Sequence, residues 1–343
     1  MKQHLGGLPP ARVSGILCLG LLLACGCGTT ISHSTTTGSG GTSAGASAVS
    51  TGAQLGLVWN SSDSTLRVLN GVPGATQLGA ALFPAGAYVS GSFSAQTQTA
   101  LLVDRKGNLE WMALPSLNPQ IIAQQIPTGV SIAFSPRGAY AVVYAAGSAS
   151  LLTLSGLPQQ PTMQTVSSSA ALLGAAISDN GTLLLATSAG HGNASITSTA
   201  SSGARTTLAT LQGYGGMAFL PGSQDFVLSD SVAHTLALMH NGSPTVLATH
   251  AAGLNQPFAV AVSQDDHWAI AADRADAKLL RIDLTGATPP AQSTCACTPN
   301  QLAALYGNAV FELAGPGAGP GWMIEADDPI ARVLFIPPVR SGQ

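Results

Sequence analysis

Carboxylates recur at one kind of place in this chain. Asp104, Asp230, Asp273 with Asp276, and Asp327 with Asp328 each follow an apolar run and open a turn. Only 15 of the 343 residues are Asp or Glu, so these positions are a concentration. A ring of them could bind a cation or a polar ligand. Asp at the head of a tight turn serves equally to accept local backbone N–H groups. A second set stands just ahead of apolar runs: Tyr214, Asn255, Gln256 and Tyr306. Their mixed character suits a sugar or a peptide, and it also suits satisfying loop backbone. His191, His234, His240, His250 and His267 are dispersed rather than spaced as ligands, so no metal or cofactor is assigned. Cys295 and Cys297, in STCACTPN, lack the spacing of a redox C-x-x-C pair and have no partner pair for zinc. They are either a local disulfide in an oxidising compartment or two inert loop thiols. H-E-x-x-H, a P-loop and a nucleophile elbow between strand and helix are all missing, so no catalytic residue is assigned.

The N-terminus carries an address. Lys2 and Arg12 precede an apolar stretch, Val13 to Ala24, of secretory length. It ends in Leu22-Leu23-Ala24-Cys25, which resembles the bacterial lipobox, although Leu23 departs from the small or β-branched residue usual at that place. The resemblance implies acylation at Cys25 and a membrane anchor of two or more chains. From Gly26 to Ala46 the chain is rich in Gly, Ser and Thr without hydrophobic period, the composition of a flexible tether. The residue after Cys25 is Gly26 rather than Asp, which favours the outer membrane in a diderm. Beyond the leader no apolar run reaches the 18 to 20 residues of a spanning helix, although the mean hydropathy is +0.32. With 12 basic and 15 acidic residues and no basic cluster, the chain has no surface for tracking phosphates, so nucleic acid is excluded as a partner.

The elements that must position any site come from a repeat. Ala133-Phe134-Ser135-Pro136-Arg137-Gly138, followed by an apolar strand, returns at Ala176-Ile177-Ser178 and at Ala261-Val262-Ser263. Weaker copies begin at Phe93-Ser94, at Phe219-Leu220-Pro221 and at Ala48-Val49-Ser50. The marker positions 50, 94, 135, 178, 221 and 263 lie 41 to 44 residues apart. A seventh unit closes the chain, its Gly321-Trp322 to Asp327 stretch likened to His267-Trp268 to Asp273. Each unit holds four short β-prone runs; in the third they are Val130–Ser135, Ala139–Tyr144, Ser150–Leu154 and Thr162–Val166. Four strands at this period, seven times over, predict an all-β, seven-bladed β-propeller of four-stranded antiparallel blades. The expected order is signal peptide 1–24, acylated Cys and tether 25–46, propeller 47–338 and tail 339–343. The first strand, at Ala46–Ser50, is weak, and no fourth strand is evident after Pro337.

The repeats resemble the YVTN and NHL-type propeller families. The likeness rests on the Ser135-Pro136-Arg137-Gly138 turn, the stretch Leu254 to Val262, and the run Ala272 to Asp283 with its Asp turn. It implies a fold shared by binding platforms, adhesins, scaffolds and a minority of enzymes. In an up-and-down meander, Asp104, Asp230, Asp273, Asp327, Tyr214, Asn255, Gln256 and Tyr306 are expected together at one end. The reading is an exported, monomeric, lipid-anchored module of the cell envelope that binds a protein, peptide or glycan without catalysis. The alternative is a lactonase-like or other metal-assisted hydrolase at the channel mouth, which requires His and acidic groups to converge on one point.

Overall fold

The computed structural model describes residues 53–317, 319–327 and 329–338. The chain divides into two units, Met1–Ala44 and Gly45–Gln343, and every described residue belongs to the second. The leader, Cys25, the tether, the strand expected at Ala46–Ser50, Asp328 and the tail at 339–343 lie outside the described residues. Blade 1 contains β1 (Gln54–Asn60), β2 (Thr65–Val72) and β3 (Ala75–Ala81). Blade 2 contains β4 (Tyr88–Ser94), β5 (Thr99–Asp104), β6 (Leu109–Ala113) and β7 (Gln120–Ala123). Blade 3 is β8 (Val130–Phe134), β9 (Tyr140–Ala145), β10 (Ser150–Ser155) and β11 (Thr162–Ser167), close to the runs expected from sequence. Blade 4 is β12 (Leu172–Ile177), β13 (Leu183–Gly190), β14 (Asn193–Thr199) and β15 (Arg205–Leu211). Blade 5 is β16 (Tyr214–Phe219), β17 (Phe226–Asp230), β18 (Thr235–His240) and β19 (Ser243–Ala248). Blade 6 is β20 (Pro257–Val262), β21 (Trp268–Asp273), β22 (Lys278–Asp283) and β23 (Ala291–Thr294). Blade 7 is β24 (Ala303–Ala304), β25 (Val310–Ala314), β26 (Gly321–Glu325) and β27 (Arg332–Ile336). All pairings are antiparallel, and one 3₁₀ turn, His250–Ala252, is the sole helical element among the described residues.

Burial explains the ring. The second strand of a blade is apolar on both faces: Ala100 to Val103, Ala141 to Val143, Leu183 to Ala186 and Ala269 to Ala272 are all buried. A sheet buried on both faces needs a neighbour on each side. Seven apolar clusters fill the seven clefts between adjacent blades. The seam joins the two ends of the described chain, with Leu55, Val58, Leu69 and Leu78 of blade 1 packed on Leu305, Val310, Met323 and Ile336 of blade 7. The fold is a closed seven-bladed β-propeller. β27 supplies the fourth strand of blade 7 that the sequence reading did not find, and it ends just before Pro337. β26, likened in sequence to the second strand of blade 6, is the third strand of its own blade; β25 takes the second place.

β4, β8, β12, β16, β20 and β24 surround a central channel and run from what we term its upper end to its lower end. Their lower ends carry the recurring serine. Ser135, Ser178 and Ser263 are buried, and each Oγ accepts an N–H from the start of the next strand: Tyr140 at 3.2 Å, Thr182 at 2.9 Å and Trp268 at 2.9 Å. Leu220 and Leu305 hold this place in blades 5 and 7, where Leu220 N–H to Asp225 O and Leu305 N–H to Val310 O close the same turn. Pro221 therefore corresponds to Pro136 rather than to a serine. Gly138 in one such turn has φ +78°, and a Cβ there would collide with Ser94 Oγ of blade 2.

β1 occupies the place of a second strand. It runs antiparallel to β4, with Gly56 beside Phe93 and Gly91 beside Trp59. Its ends bond to blade 7, Tyr306 N–H to Leu55 O at 2.6 Å below and Ser61 N–H to Pro316 O at 3.1 Å above. Blade 1 thus has no innermost strand among the described residues.

Replacing Ser263 by Ala strands the Trp268 N–H in a buried turn, and urea denaturation should show a loss of about 1–3 kcal/mol. Ser202→Ala, on an exposed turn, should change stability by no more than about 0.5 kcal/mol.

Candidate functional site

The channel encloses a cavity of about 240 Å³. Its wall is apolar and small: Phe93, Ile132, Phe134, Ile177, Met217, Phe219 and Phe311 stand among Ala133, Ala175, Ala176, Ala218, Ala261, Ala303 and Ala304. The polar lining residues are serines and the amides Gln96 and Gln264; no Asp, Glu, His, Cys, Lys, Arg or Tyr is among the described lining. Such a wall offers hydrogen bonds and dispersion contacts, with no group that titrates near neutral pH. Across the lower mouth, Gln264 Nε2 donates to Pro136 O at 3.1 Å, tying blade 6 to blade 3.

The rest of the lower end is spent on cohesion. Asp179 accepts the Arg137 N–H of blade 3 at 2.7 Å and the Gly222 N–H of blade 5 at 2.9 Å, so one carboxylate joins three blades. Blades 6 and 7 are joined by Asp265 N–H to Asn308 Oδ1 at 2.9 Å and Asn308 Nδ2 to Asp265 Oδ2 at 2.8 Å. Burial alone would raise the Asp265 pKa, but donation from Ser263, His267 and Asn308 holds it below the ordinary carboxylate value.

The upper end is built differently. The innermost strands of blades 2, 4, 5 and 6 each carry one extra residue near their upper end, at Val89, Leu173, Gly215 and Phe258. A bulge of this kind re-aims a side chain at the rim of a sheet. Val89 is 40% and Leu173 38% exposed, and the Phe258 ring is covered by the Arg274 guanidinium at 4.5 Å. The Tyr214 phenol sits where a Cβ of Gly174 would be, so the glycine makes room for the ring. Burial, and secondarily Tyr144 beside it, raises the Tyr214 pKa.

The carboxylates at this end are occupied by their own blades. Asp104 accepts Lys106 N–H, Asn108 N–H and Asn108 Nδ2 at 2.7–2.8 Å. Desolvation works against it, yet those bonds keep its pKa below the usual value. Asp230 accepts Gln212, Gly213, Val232 and Ala233 N–H groups; Asp273 accepts those of Asn255, Gln256, Ala275 and Asp276. In both cases one carboxylate closes the turn after the second strand and also pins the loop leading into the innermost strand. Asn255 is held there, with His234 Nδ1 on its carbonyl, while the Gln256 side chain is exposed. Asp104, Asp230, Asp273, Tyr214, Asn255 and Gln256 therefore share the upper end without converging on one point. Asp327 and Tyr306 do not join them. Both lie at the lower end, Asp327 accepting Asn308 Nδ2 at 2.6 Å and Tyr306 exposed in the turn between β24 and β25. Among the described residues no cluster of three His, Cys, Asp or Glu is placed to hold a metal ion. Cys295 and Cys297 form a disulfide in the segment joining blades 6 and 7.

Sequence reasoning did not single out Glu312. It sits on β25, buried, with Oε1 lacking any hydrogen-bond partner, and burial pushes its pKa up to about 8. The only signal was a lone acid inside the apolar run Val310 to Ala314.

No family model and no curated protein matches the chain. Solved structures do. A chain of a Nidogen/Laminin complex matches with a TM-score of 0.50 at 16% identity, over 74% of this chain and 96% of that one. The β-propeller domain of Cps50 (Swd1) from Myceliophteria thermophila matches with 0.55 at 9% identity, over 74% and 87%. A protein of unknown function from Desulfotomaculum acetoxidans matches with 0.55 at 11% identity, over 84% of this chain and all of that one. At these identities the likeness is one of fold.

Two substitutions test this site. Asp273→Ala leaves four part-buried N–H groups without their acceptor and should cost about 1–3 kcal/mol in chemical denaturation. Glu312 is neutral in the folded protein up to about pH 8 but ionises near pH 4.5 when unfolded. Its contribution to stability is therefore greatest below pH 4.5 and is lost as pH rises towards 8. Glu312→Gln should remove that slope, so its melting temperature should exceed the wild type's by several degrees at pH 8 and match it at pH 4.

Proposed function

We propose that the chain is an exported, lipid-anchored propeller that recognises a protein, peptide or glycan on its upper face and performs no chemistry there. The observation that carries this reading is the division of labour between the two ends. Blade-to-blade hydrogen bonds occupy the lower rim, the described lining of the channel bears no titratable side chain, and the upper carboxylates accept from their own turns. What the upper end leaves free is a rim of exposed Val89, Leu173, Val232 and Gln256 on a rigid scaffold. Rim loops on rigid scaffolds are where recognition resides. A chain of the same fold in a Nidogen/Laminin complex supports a binding role for such a ring.

Lipidation at Cys25 anchors the module, the Gly/Ser/Thr tether spaces it from the bilayer, and the outer membrane is its place as a monomer. The Ser-Pro-x-Gly turns support kinship with YVTN and NHL-type propellers. In cells fed a fatty-acid probe, the wild type should be labelled and Cys25→Ser should not; a labelled variant would dismiss the anchor. Peptide and glycan libraries panned against the purified protein should yield ligands that Val89→Asp and Leu173→Asp abolish at least about tenfold and Tyr306→Ala spares. Ligands indifferent to the two upper-rim changes would reject the face. A stoichiometric divalent ion retained through purification would redirect attention to hydrolysis.

A further inference from the structure

The cleft between blades 3 and 4 is packed unlike the others. In each of the other six, the third strands of both flanking blades supply buried apolar side chains, as Leu109 and Leu154 do between blades 2 and 3. Here β10 supplies Leu151, but no residue of β14 or β15 belongs to the core. Strand pairing explains the difference. Thr199 and Thr197 of β14 lie directly opposite Leu183 and Leu185 of β13, and those leucines face blade 3. Directly paired residues share a face, so β14 turns hydroxyls towards blade 3 and keeps Ile196 for blade 5.

The outer half of this cleft is a cavity of about 300 Å³. Two cross-strand rows flank it: Leu183, Thr199 and Arg205 in blade 4, and Val142, Thr153 and Gln164 in blade 3. Each row begins with a buried aliphatic residue and turns polar outwards. Ser201 and Ser202, in the turn between β14 and β15, add hydroxyls, and no Asp or Glu is among the described lining. The Arg205 guanidinium donates through Nη2 to Ser167 O, which leaves the rest of its fork uncommitted. Thr199 is nine-tenths buried, and its Oγ1 has no hydrogen-bond partner. An orphan hydroxyl in the floor of a cavity destabilises the fold until something pairs with it.

We propose that this cavity binds one sugar unit carrying a carboxylate, as in a uronic acid. The planar fork of Arg205 matches a carboxylate, and with no second cation among the described lining the site suits a single negative charge. The hydroxyls of Thr153, Ser201 and Ser202 and the Gln164 amide both donate and accept, as sugar hydroxyls require. Leu183 offers an aliphatic surface to the C–H groups of the ring. A volume of about 300 Å³ is at the small end for ligand pockets and suits one ring rather than an extended chain. The site opens between the outer strands, so it stands apart from the upper rim and does not depend on the reading given for that face.

Titration of the full-length protein with glucuronate, glucose and acetate, followed by ligand-observed NMR, tests this. Glucuronate should bind at least about tenfold more tightly than glucose or acetate. Arg205→Gln should remove the preference over glucose, and Gln164→Ala should weaken glucuronate about threefold or more. Both replaced side chains are exposed, so the fold should persist in each variant. Val89→Asp should leave glucuronate affinity unchanged, which separates this site from the upper face. Absence of glucuronate binding would overturn the proposal, and so would equal affinity for acetate, which would mean an adventitious ion only. An unchanged preference in Arg205→Gln would put the carboxylate elsewhere and overturn it as well.

Discussion

A blade of this protein cannot stand alone in water. Its second strand is apolar on both faces, and a twisted sheet of three or four short strands covers neither. Each blade is stable only between two others, so the last must meet the first. The seam cluster of Leu55, Val58, Leu305 and Ile336 has the same makeup as the six cores inside the ring, although its halves come from opposite ends of the described chain. Cohesion is therefore cooperative around the ring rather than local to a repeat, and cutting one cleft exposes two blades.

The near absence of charge is the same constraint seen from outside. Several of the few acids are placed where backbone N–H groups at turns would otherwise go unpaired. Asp179 holds blades 3, 4 and 5 together, and Asp230 and Asp273 pin the loops that begin two innermost strands. A carboxylate used in this way has its lone pairs taken and is a poor metal ligand or general base. The upper rim is thus positioned by acids and presented by apolar bulges.

Much of the ring was legible because its signals are local. A buried serine closing a tight turn recurs as Ser135, Ser178 and Ser263, and short β-prone apolar runs flank it. The seventh unit was misread because β24 is only two alanines long and leaves no hydrophobic run to mark the first strand. That shifted Tyr306 and Asp327 to the wrong end of the ring. The bulges at Val89 and Leu173 were invisible for a different reason: one extra residue in a strand leaves composition unchanged, and its effect exists only against the partner strand. Glu312 was hidden because burial, which sets its chemistry, is a property of the assembled ring.

The bond from Gln264 to Pro136 crosses the axis between blades that are not neighbours. It is a strut between far sides of the ring, so a load that spreads blade 3 from blade 6 is resisted directly as well as through the blades between them.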